Sequence, residues 1–533
     1  MAQQRRTVTA AMLAAGMLAL GFSLAVTVLA FYGLIGFDSS GTESRLDTRL
    51  LSDGYFHSVV WFSIKQAGLS ALLALVLAWP VARALYYSPG LWLRQSFLSL
   101  CVLSFVMPTL ILITGLVALL GRQGLISPWL GQDWNLYGLP GILIAHVYLN
   151  LPFAIRVQLL QLQHIPDSSW KLAAQLKLGA WQRLRLIEWP ALRAGMLQLF
   201  GFVFVLCFNS FAVVLALGGG PRATTLEVAI YQSLKYDFNI PEALTLAWTQ
   251  LLIAGSLFLL LNRLGGNQWL GVDSTQQHWT PKPGAAMQRL HRLLYATAAL
   301  ALLLPLLALV PGVLQVNLAR FDWLAIARPA FITLLIAAIA GTGALLLAYA
   351  TLLPSRFART EGRNTLALLC DWLSTHALVA PAMVVSVGLY ILLLPRLDLD
   401  HWGMLFVVLL NMVLILPYAV QQLRPRLLQF DRQYERLVRS LKLGFQERLR
   451  IEWPYMRRAC ITSFALMLLL AMGDVAIFSI FGTSDWTTLP WLIYGYAGTY
   501  RMGEASVASL LLLLICALVV WLFQHFEKGQ QDA

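Results

Sequence analysis

The 533-residue chain predicts an all-α membrane protein of about 12 transmembrane helices in two tandem six-helix repeats. Three observations carry this. First, charged residues make up only 12% of the chain against 59% hydrophobic, and mean hydropathy is +0.70. Soluble domains carry about a quarter charged residues, so this chain cannot coat itself with water-compatible surface. Second, its apolar residues come in runs of the length that crosses a bilayer, about 20 residues for a hydrocarbon core of about 30 Å. Third, one polar segment occurs twice.

Leu510 to Phe523 and Leu293 to Val310 are the plainest runs. They lack the apolar/polar alternation of a barrel strand, so their backbone groups are satisfied within helices. The first six spans are expected near 9–37, 56–85, 93–120, 137–160, 195–217 and 244–264. The second six are expected near 291–315, 329–353, 364–395, 402–423, 459–482 and 504–526. Arg5-Arg6 before an apolar run has the look of a secretion signal. The run from Thr9 is too long for a signal core and no small-residue cleavage site follows, so an uncleaved first span is expected.

With the N-terminus inside, 28 of the 38 Lys and Arg residues fall on the cytoplasmic side. That asymmetry follows the positive-inside rule. The net charge of +13 is thus a topology signal. No basic stripe interleaved with aromatics exists outside these loops, so a nucleic-acid partner is not expected. The five cysteines lie in or beside apolar runs without a CxxC pair and read as small buried hydrophobes. No GxxxxGK[ST], HExxH or GxSxG is present. The chain is therefore expected to bind no cofactor or metal, to have no catalytic residues, and to draw any ATP-derived energy from another polypeptide.

The duplicated segment reads QLKLGAWQRLRLIEWPALR from Gln175 and SLKLGFQERLRIEWPYMR from Ser440. Gly179, Glu188, Trp189 and Pro190 recur as Gly444, Glu452, Trp453 and Pro454, the second copy being one residue shorter. The relation runs outward in both directions. Leu151-Pro152 recurs as Leu416-Pro417, Thr224-Thr225-Leu226 as Thr487-Thr488-Leu489, and the Pro108/Gly115 pair as Pro381/Gly388. A collinear series of this extent means duplication and fusion. The expected division is residues 1–270, a cytoplasmic linker at 271–290, and residues 291–533. Six spans per half place both copies in one orientation, related by an axis along the membrane normal.

The two cytoplasmic loops, about 163–194 and 425–458, each read as two short amphipathic helices separated at a glycine, Gly179 or Gly444, that tolerates a left-handed turn. Proline then marks a helix start or end. A basic helix gripping anionic lipid headgroups is the plain alternative, but it leaves the shared turn unexplained.

This layout resembles the membrane subunits of type I ATP-binding-cassette importers, and the loops resemble their EAA motif of Ala-rich residues, a Gly and a hydrophobic-Leu-Pro ending. Lys171-Leu172-Ala173-Ala174 and Pro190 match it. The motif's Glu has no counterpart in the first copy, and Lys177 and Lys442 stand about where the family has its Gly. The resemblance implies the type I importer permease fold, with each loop forming a coupling helix seated in an ATPase subunit. It assigns that role to Ala173, Ala174, Lys177, Gly179, Glu188 and Pro190, and to Lys442, Gly444, Glu452 and Pro454.

Within this family the chain is similar to fused permeases for thiamine or thiamine diphosphate in Gram-negative bacteria. The similarity is strongest from Tyr137, in the first loop, and from Phe208 to Asp237. Fused ferric-ion permeases share the layout less closely. The resemblance implies a multi-pass protein of the bacterial inner membrane that is not itself an enzyme. Its partners would be an ATPase homodimer, a periplasmic thiamine-binding protein and membrane lipid. An ion-coupled secondary transporter is the competing class; it calls for charge relays within the spans, where acidic residues are few.

Polar residues inside apolar runs are the remaining candidates. Asp474 in LLLAMGDVAIFSIFG and Asn209-Ser210 at the matching place are candidate pathway residues, since an intramembrane carboxylate is costly and is kept for function or for an interhelical bond. His146, Asn150 and Asn411 have weaker claims, and Asp371 and His376 read as interfacial. Gly218-Gly219-Gly220-Pro221 reads as an outer-side turn facing a binding protein.

Overall fold

A computed structural model describes residues 2–35, 47–263, 283–317, 319–378, 380–441, 443–483 and 485–528. Every regular element among them is helical. The first half contains α1 (Ala2–Leu34), α2 (Gly54–Tyr87), α3 (Arg94–Val106), α4 (Thr109–Leu120), α5 (Leu139–Gln163) and α6 (Asp167–Gln175). It continues with α7 (Ala180–Arg183), α8 (Trp189–Phe208), α9 (Phe211–Leu217), α10 (Leu226–Lys235) and α11 (Ile240–Arg263). The second half contains α12 (Ala285–Leu307), α13 (Leu309–Leu314), α14 (Trp323–Thr360), α15 (Asn364–Leu373) and α16 (Ala382–Leu393). It ends with α17 (Leu399–Ser440), α18 (Phe445–Met472), α19 (Ala476–Phe481), α20 (Leu489–Gly498) and α21 (Met502–Lys528). The linker expected at 271–290 falls largely on residues 264–282, outside the described residues; α12 begins within it, at Ala285.

Among the described residues, eight helices are long and apolar enough to cross a membrane, or up to 10 when each of two bent pairs counts as one span. The third and ninth of the expected spans are broken helices. Residues 94–120 form two helices bent by 104°, and residues 364–393 form α15, a short 3-10 turn and α16. The cause is the duplicated proline. Met107 is extended (φ −62°, ψ 137°) ahead of Pro108, as the clash with a proline ring requires, and Pro108 and Pro381 sit at the N-caps of α4 and α16.

Each half is centred on a triad, α2/α5/α8 or α14/α17/α18. The halves exchange their first helices: α1 packs on α14 and α16, and α12 packs on α2 and α4. The crossings explain the Gly115/Gly388 pair. A Cβ on Gly115 would overlap the Pro305 carbonyl of α12, and one on Gly388 would overlap the Ala30 carbonyl of α1. Small residues at a crossing let helix backbones touch where lipid supplies no hydrophobic drive. Further ties reinforce the exchange: Thr27 of α1 hydrogen-bonds His376 (2.9 Å), and Tyr148 of α5 donates to the Leu302 carbonyl of α12 (2.6 Å).

The recurring Thr-Thr-Leu also has a structural reason. Thr225 and Thr488 are the N-caps of α10 and α20. The following amides, of Leu226 and Leu489, donate to Ser63 of α2 (3.0 Å) and Thr333 of α14 (2.8 Å). A free amide at a helix start is thereby satisfied inside the bundle. Cys101, Cys207 and Cys516 are buried, Cys370 and Cys460 are half-buried, and all five are free.

The crossings predict that Gly115→Ala and Gly388→Ala each destabilise the protein by about 1–3 kcal/mol through overpacking. Gly21→Ala, whose new methyl meets nothing within 4 Å, serves as control. Thermal unfolding in detergent checks this; equal melting of all three variants would contradict it.

Candidate functional site

The two duplicated loops are held by the same device. In the first half Glu188 is fully buried and meets Arg83 of α2 through two parallel contacts, Nε to Oε2 at 2.7 Å and Nη2 to Oε1 at 3.0 Å. The Tyr87 hydroxyl donates to the same carboxylate at 2.7 Å. In the second half Glu452 is 1% exposed and meets Arg356 of α14 at 2.9 and 3.2 Å. Arg83 and Arg356 lie 273 residues apart, the spacing that relates Pro108 to Pro381. They are therefore repeat equivalents that sequence inspection missed. Paired guanidinium–carboxylate forks of this geometry are strong and directional.

Glu188 and Glu452, which the resemblance assigns to coupling, thus face inward. They tie α8 and α18 to the C-terminal ends of α2 and α14.

The one-residue length difference between the loops has a visible outcome. Residues Leu184–Glu188 form a π-helical turn in the first copy, whereas α18 runs on as a single helix. A π turn absorbs one extra residue, and it brings Glu188 to the place that Glu452 holds. Pro190 and Pro454 lie exposed two residues further on.

The expected left-handed turn at Gly179 is also corrected. Gly179 has φ −67° and Gly444 φ −77°, and both act as N-caps, donating to Gln182 (2.9 Å) and Glu447 (2.6 Å). The left-handed residue is Lys177, at φ +51°. Its amide bonds the Ala174 carbonyl and that of Leu178 bonds Ala173, at 3.1 and 3.0 Å. These are the two bonds of a Schellman helix end, where glycine is usual. Leu443 repeats the outer bond to Val438 at 3.2 Å; Lys442 lies outside the described residues.

The expected helix–turn–helix also differs between copies. Pro166 ends the run from α5 and separates α6, whereas α17 continues unbroken for 42 residues into the second loop. Trp170 of α6 is fully buried against Tyr86 and Tyr87, with ring centroids at 5.9 and 5.8 Å. The corresponding residue, Glu435, instead joins an ionic network. Arg448 reaches Glu435 at 3.1 Å and Asp431 at 2.9 Å, and Asp431 closes on Arg356 with two 2.7 Å contacts. Asp371 is buried between Arg359 and Arg424.

With Trp170, Ala173 and both glutamates turned inward, the outward faces are apolar in matching places. Leu172 and Leu176 are 56% and 63% exposed, and their equivalents Leu437 and Leu441 are 52% and 59% exposed. Ala174 and Lys177 are exposed beside them. Spacing of four residues puts each pair on one helix face.

The pathway candidates lie at helix breaks deep in the bundle. Asp474 follows α18, accepts the amides of Ile477 and Phe478 at 3.2 Å each, and faces Asn411 at 3.4 Å. It stands one residue before Val475, the N-cap of α19, and its carboxylate satisfies free amides of the first turn, which accounts for a carboxylate at that depth. A Cβ on Gly473 would lie 3.4 Å from the Cα of Pro108, so the breaks of the two halves meet. Asn209 bonds Gln250 at 3.4 Å, and Gln250 donates to the buried Glu227 at 2.5 Å. Glu227 was missed because it stands in a segment assigned to the outer loop. Asn209, Ser210 and Asp474 are all half-buried. His146 and Asn150 are buried, bonding Ser70 (3.2 Å) and the His146 carbonyl (2.8 Å) respectively.

Removing one partner of a buried ion pair strands a charge. Arg356→Ala and Arg83→Ala are expected to cost about 3–5 kcal/mol each. Lys177→Gly is expected to stabilise by about 1 kcal/mol through relief of the left-handed backbone. Chemical unfolding of the purified protein measures both, and a neutral Arg356→Ala would contradict the clamp.

Comparison with known proteins completes the picture. Residues 70–266 and 350–531 each match the family described as "Binding-protein-dependent transport system inner membrane component". The "Thiamine transport system permease protein" of Brucella abortus (strain 2308) is 36% identical over 535 residues, covering 97% of this chain and 96% of that protein. Its namesake in Haemophilus influenzae is 35% identical over 491 residues, covering 90% of each chain. That of Escherichia coli (strain K12) is 35% identical over 489 residues, covering 89% of each. Each of the two family matches takes in one Arg–Glu clamp and its loop, and the chain belongs to the inner-membrane components of binding-protein-dependent transport systems.

Proposed function

We propose that this chain is the membrane subunit of an ATP-driven importer that moves thiamine across a bacterial inner membrane. A periplasmic binding protein delivers the ligand on the outer side, and two copies of a separate ATPase subunit dock on the two loops. The observation that carries the reading is the repeated loop: each copy is clamped by Arg–Glu to the central helix of its half and presents an equivalent leucine pair outward. Exposed apolar patches on a polar face mark protein contacts. Two equivalent patches on one chain fit a partner with twofold symmetry.

The division into repeats at 1–270 and 291–533 is part of this proposal, with one polypeptide supplying both sides of the pathway. Asp474 lies at a break that meets Pro108 of the other half, Asn209 and Ser210 lie at the break between α8 and α9, and discontinuous helices near the bilayer midplane commonly build transport sites. The Asp474 carboxylate then fixes its break, with Asn209 and Ser210 lining theirs. The names of the relatives supply thiamine as the ligand; the loops supply the ATP coupling.

Leu172→Glu combined with Leu437→Glu is expected to abolish co-purification with the ATPase while leaving the melting temperature of the isolated chain unchanged. Wild-type chain reconstituted with ATPase and binding protein is expected to accumulate labelled thiamine only with ATP. Uptake driven by an ion gradient in the absence of the ATPase would overturn the reading.

A further inference from the structure

We infer that each half holds the headgroup of an acidic phospholipid on a Trp–Arg stripe at the start of α8 or α18, in the leaflet beside the duplicated loops. The inference goes beyond the transport reading and needs neither its ligand nor its ATPase.

The stripe is made twice in the same way. In the first half Glu188 and Leu192 are fully buried, whereas Trp189 and Arg193, each one residue further on, are exposed. In the second half Glu452 and Met456 are buried, and again the next residues, Trp453 and Arg457, are exposed. The two tryptophans are 54% and 55% exposed, so the outward face is repeated as closely as the clamp beneath it. Spacing of four residues stacks each arginine one turn beyond its tryptophan. A second exposed arginine stands one turn before it, Arg185 in the first half and Arg450 in the second.

The charges on this face are uncompensated. Among the described residues, none of Arg185, Arg193, Arg450 and Arg457 meets a carboxylate, whereas Arg83, Arg356 and Arg448 on the inward side all do. Further along α8 the exposed side is apolar, with Leu197 52% exposed, and α18 runs on as a membrane span. The stripe therefore sits where water gives way to hydrocarbon. Tryptophan favours that level because its ring is apolar and its N–H is not. A guanidinium beside it forks onto the oxygens of a phosphate diester. Two unpaired arginines around each tryptophan leave net positive charge, which favours an acidic headgroup over a zwitterionic one. The leucine pairs that face outward from the loops lie on or beside α6 and α17, different elements from this stripe. Because Trp189 and Trp453 directly follow the clamped glutamates, the lipid would grip from outside the same turn that the clamp fixes from inside.

Native mass spectrometry of the purified full chain, titrated with phosphatidylglycerol or phosphatidylcholine, tests the inference. Wild type is expected to retain one phosphatidylglycerol per half and to hold phosphatidylcholine more weakly. Arg193→Gln and Arg457→Gln are each expected to weaken one of the two sites about fivefold, and the double variant both. Arg222→Gln, an exposed arginine on the turn before α10, serves as control and is expected to bind as wild type does. Equal retention of the two lipids by wild type would overturn the inference, and that comparison decides even where a variant fails to fold. Unchanged phosphatidylglycerol binding by a folded double variant would overturn it too. So would displacement of the lipid by millimolar inorganic phosphate, which marks a site for free anions. If the double variant keeps the lipid and instead loses co-purification with the ATPase, the stripe is a protein surface and the inference falls.

Discussion

The rest of the architecture depends on a buried ion pair made twice, Arg83–Glu188 and Arg356–Glu452. Burying two charges costs several kcal/mol per ion, and only good geometry with further hydrogen bonds repays it. Both copies meet that condition, one with Tyr87 and the other with Asp431 and Arg448. Replacing such a pair by apolar residues is often neutral for stability, so stability alone does not explain its presence in both halves. A fixed geometry does. The pair ties Glu188, the N-cap of α8, and Glu452 of α18 to the C-terminal ends of α2 and α14, the central helix of each half. A push on either loop therefore reaches the bundle core through two rigid elements.

Around this constraint the halves have diverged. The first loop is jointed, with a helix end at Pro166, a left-handed lysine and a π turn, and it rests on a buried tryptophan. The second is made of the ends of two long helices, α17 and α18, stiffened by five charged residues, Arg356, Asp431, Glu435, Arg448 and Glu452. The exchange of α1 and α12 across the interface keeps the halves from separating, and the glycine crossings let those helices sit close. One chain thus provides two similar but mechanically unequal levers.

Much of this was legible in the sequence. Hydropathy located most spans, because long apolar runs have no other stable form in lipid. The repeat pointed to both loops and to the Gly115/Gly388 pair. What escaped is instructive. Arg83 and Arg356 sit inside apolar helices about a hundred residues before their partners, and nothing in local periodicity links them. The bend at Pro108 hides in a run that is apolar throughout. The helix exchange leaves no periodic trace at all. The extra residue of the first loop was countable, but its form as a π turn follows from keeping Glu188 in place. Glycine drew attention at Gly179, whereas the strained turn is Lys177, a residue type that rarely signals one.

The central claim is that each loop moves as one body with the central helix of its half. Spin labels at Ser168→Cys and Ser88→Cys, in a cysteine-free background of the full complex, report the loop-to-α2 distance by pulsed electron resonance. Labels at Ser168→Cys and Gln433→Cys, both exposed and away from the leucine pairs in sequence, report the distance between loops. The account predicts that ATP binding shifts the loop-to-loop distance and leaves the loop-to-α2 distance unchanged. A loop-to-α2 distance that changes with nucleotide would contradict it.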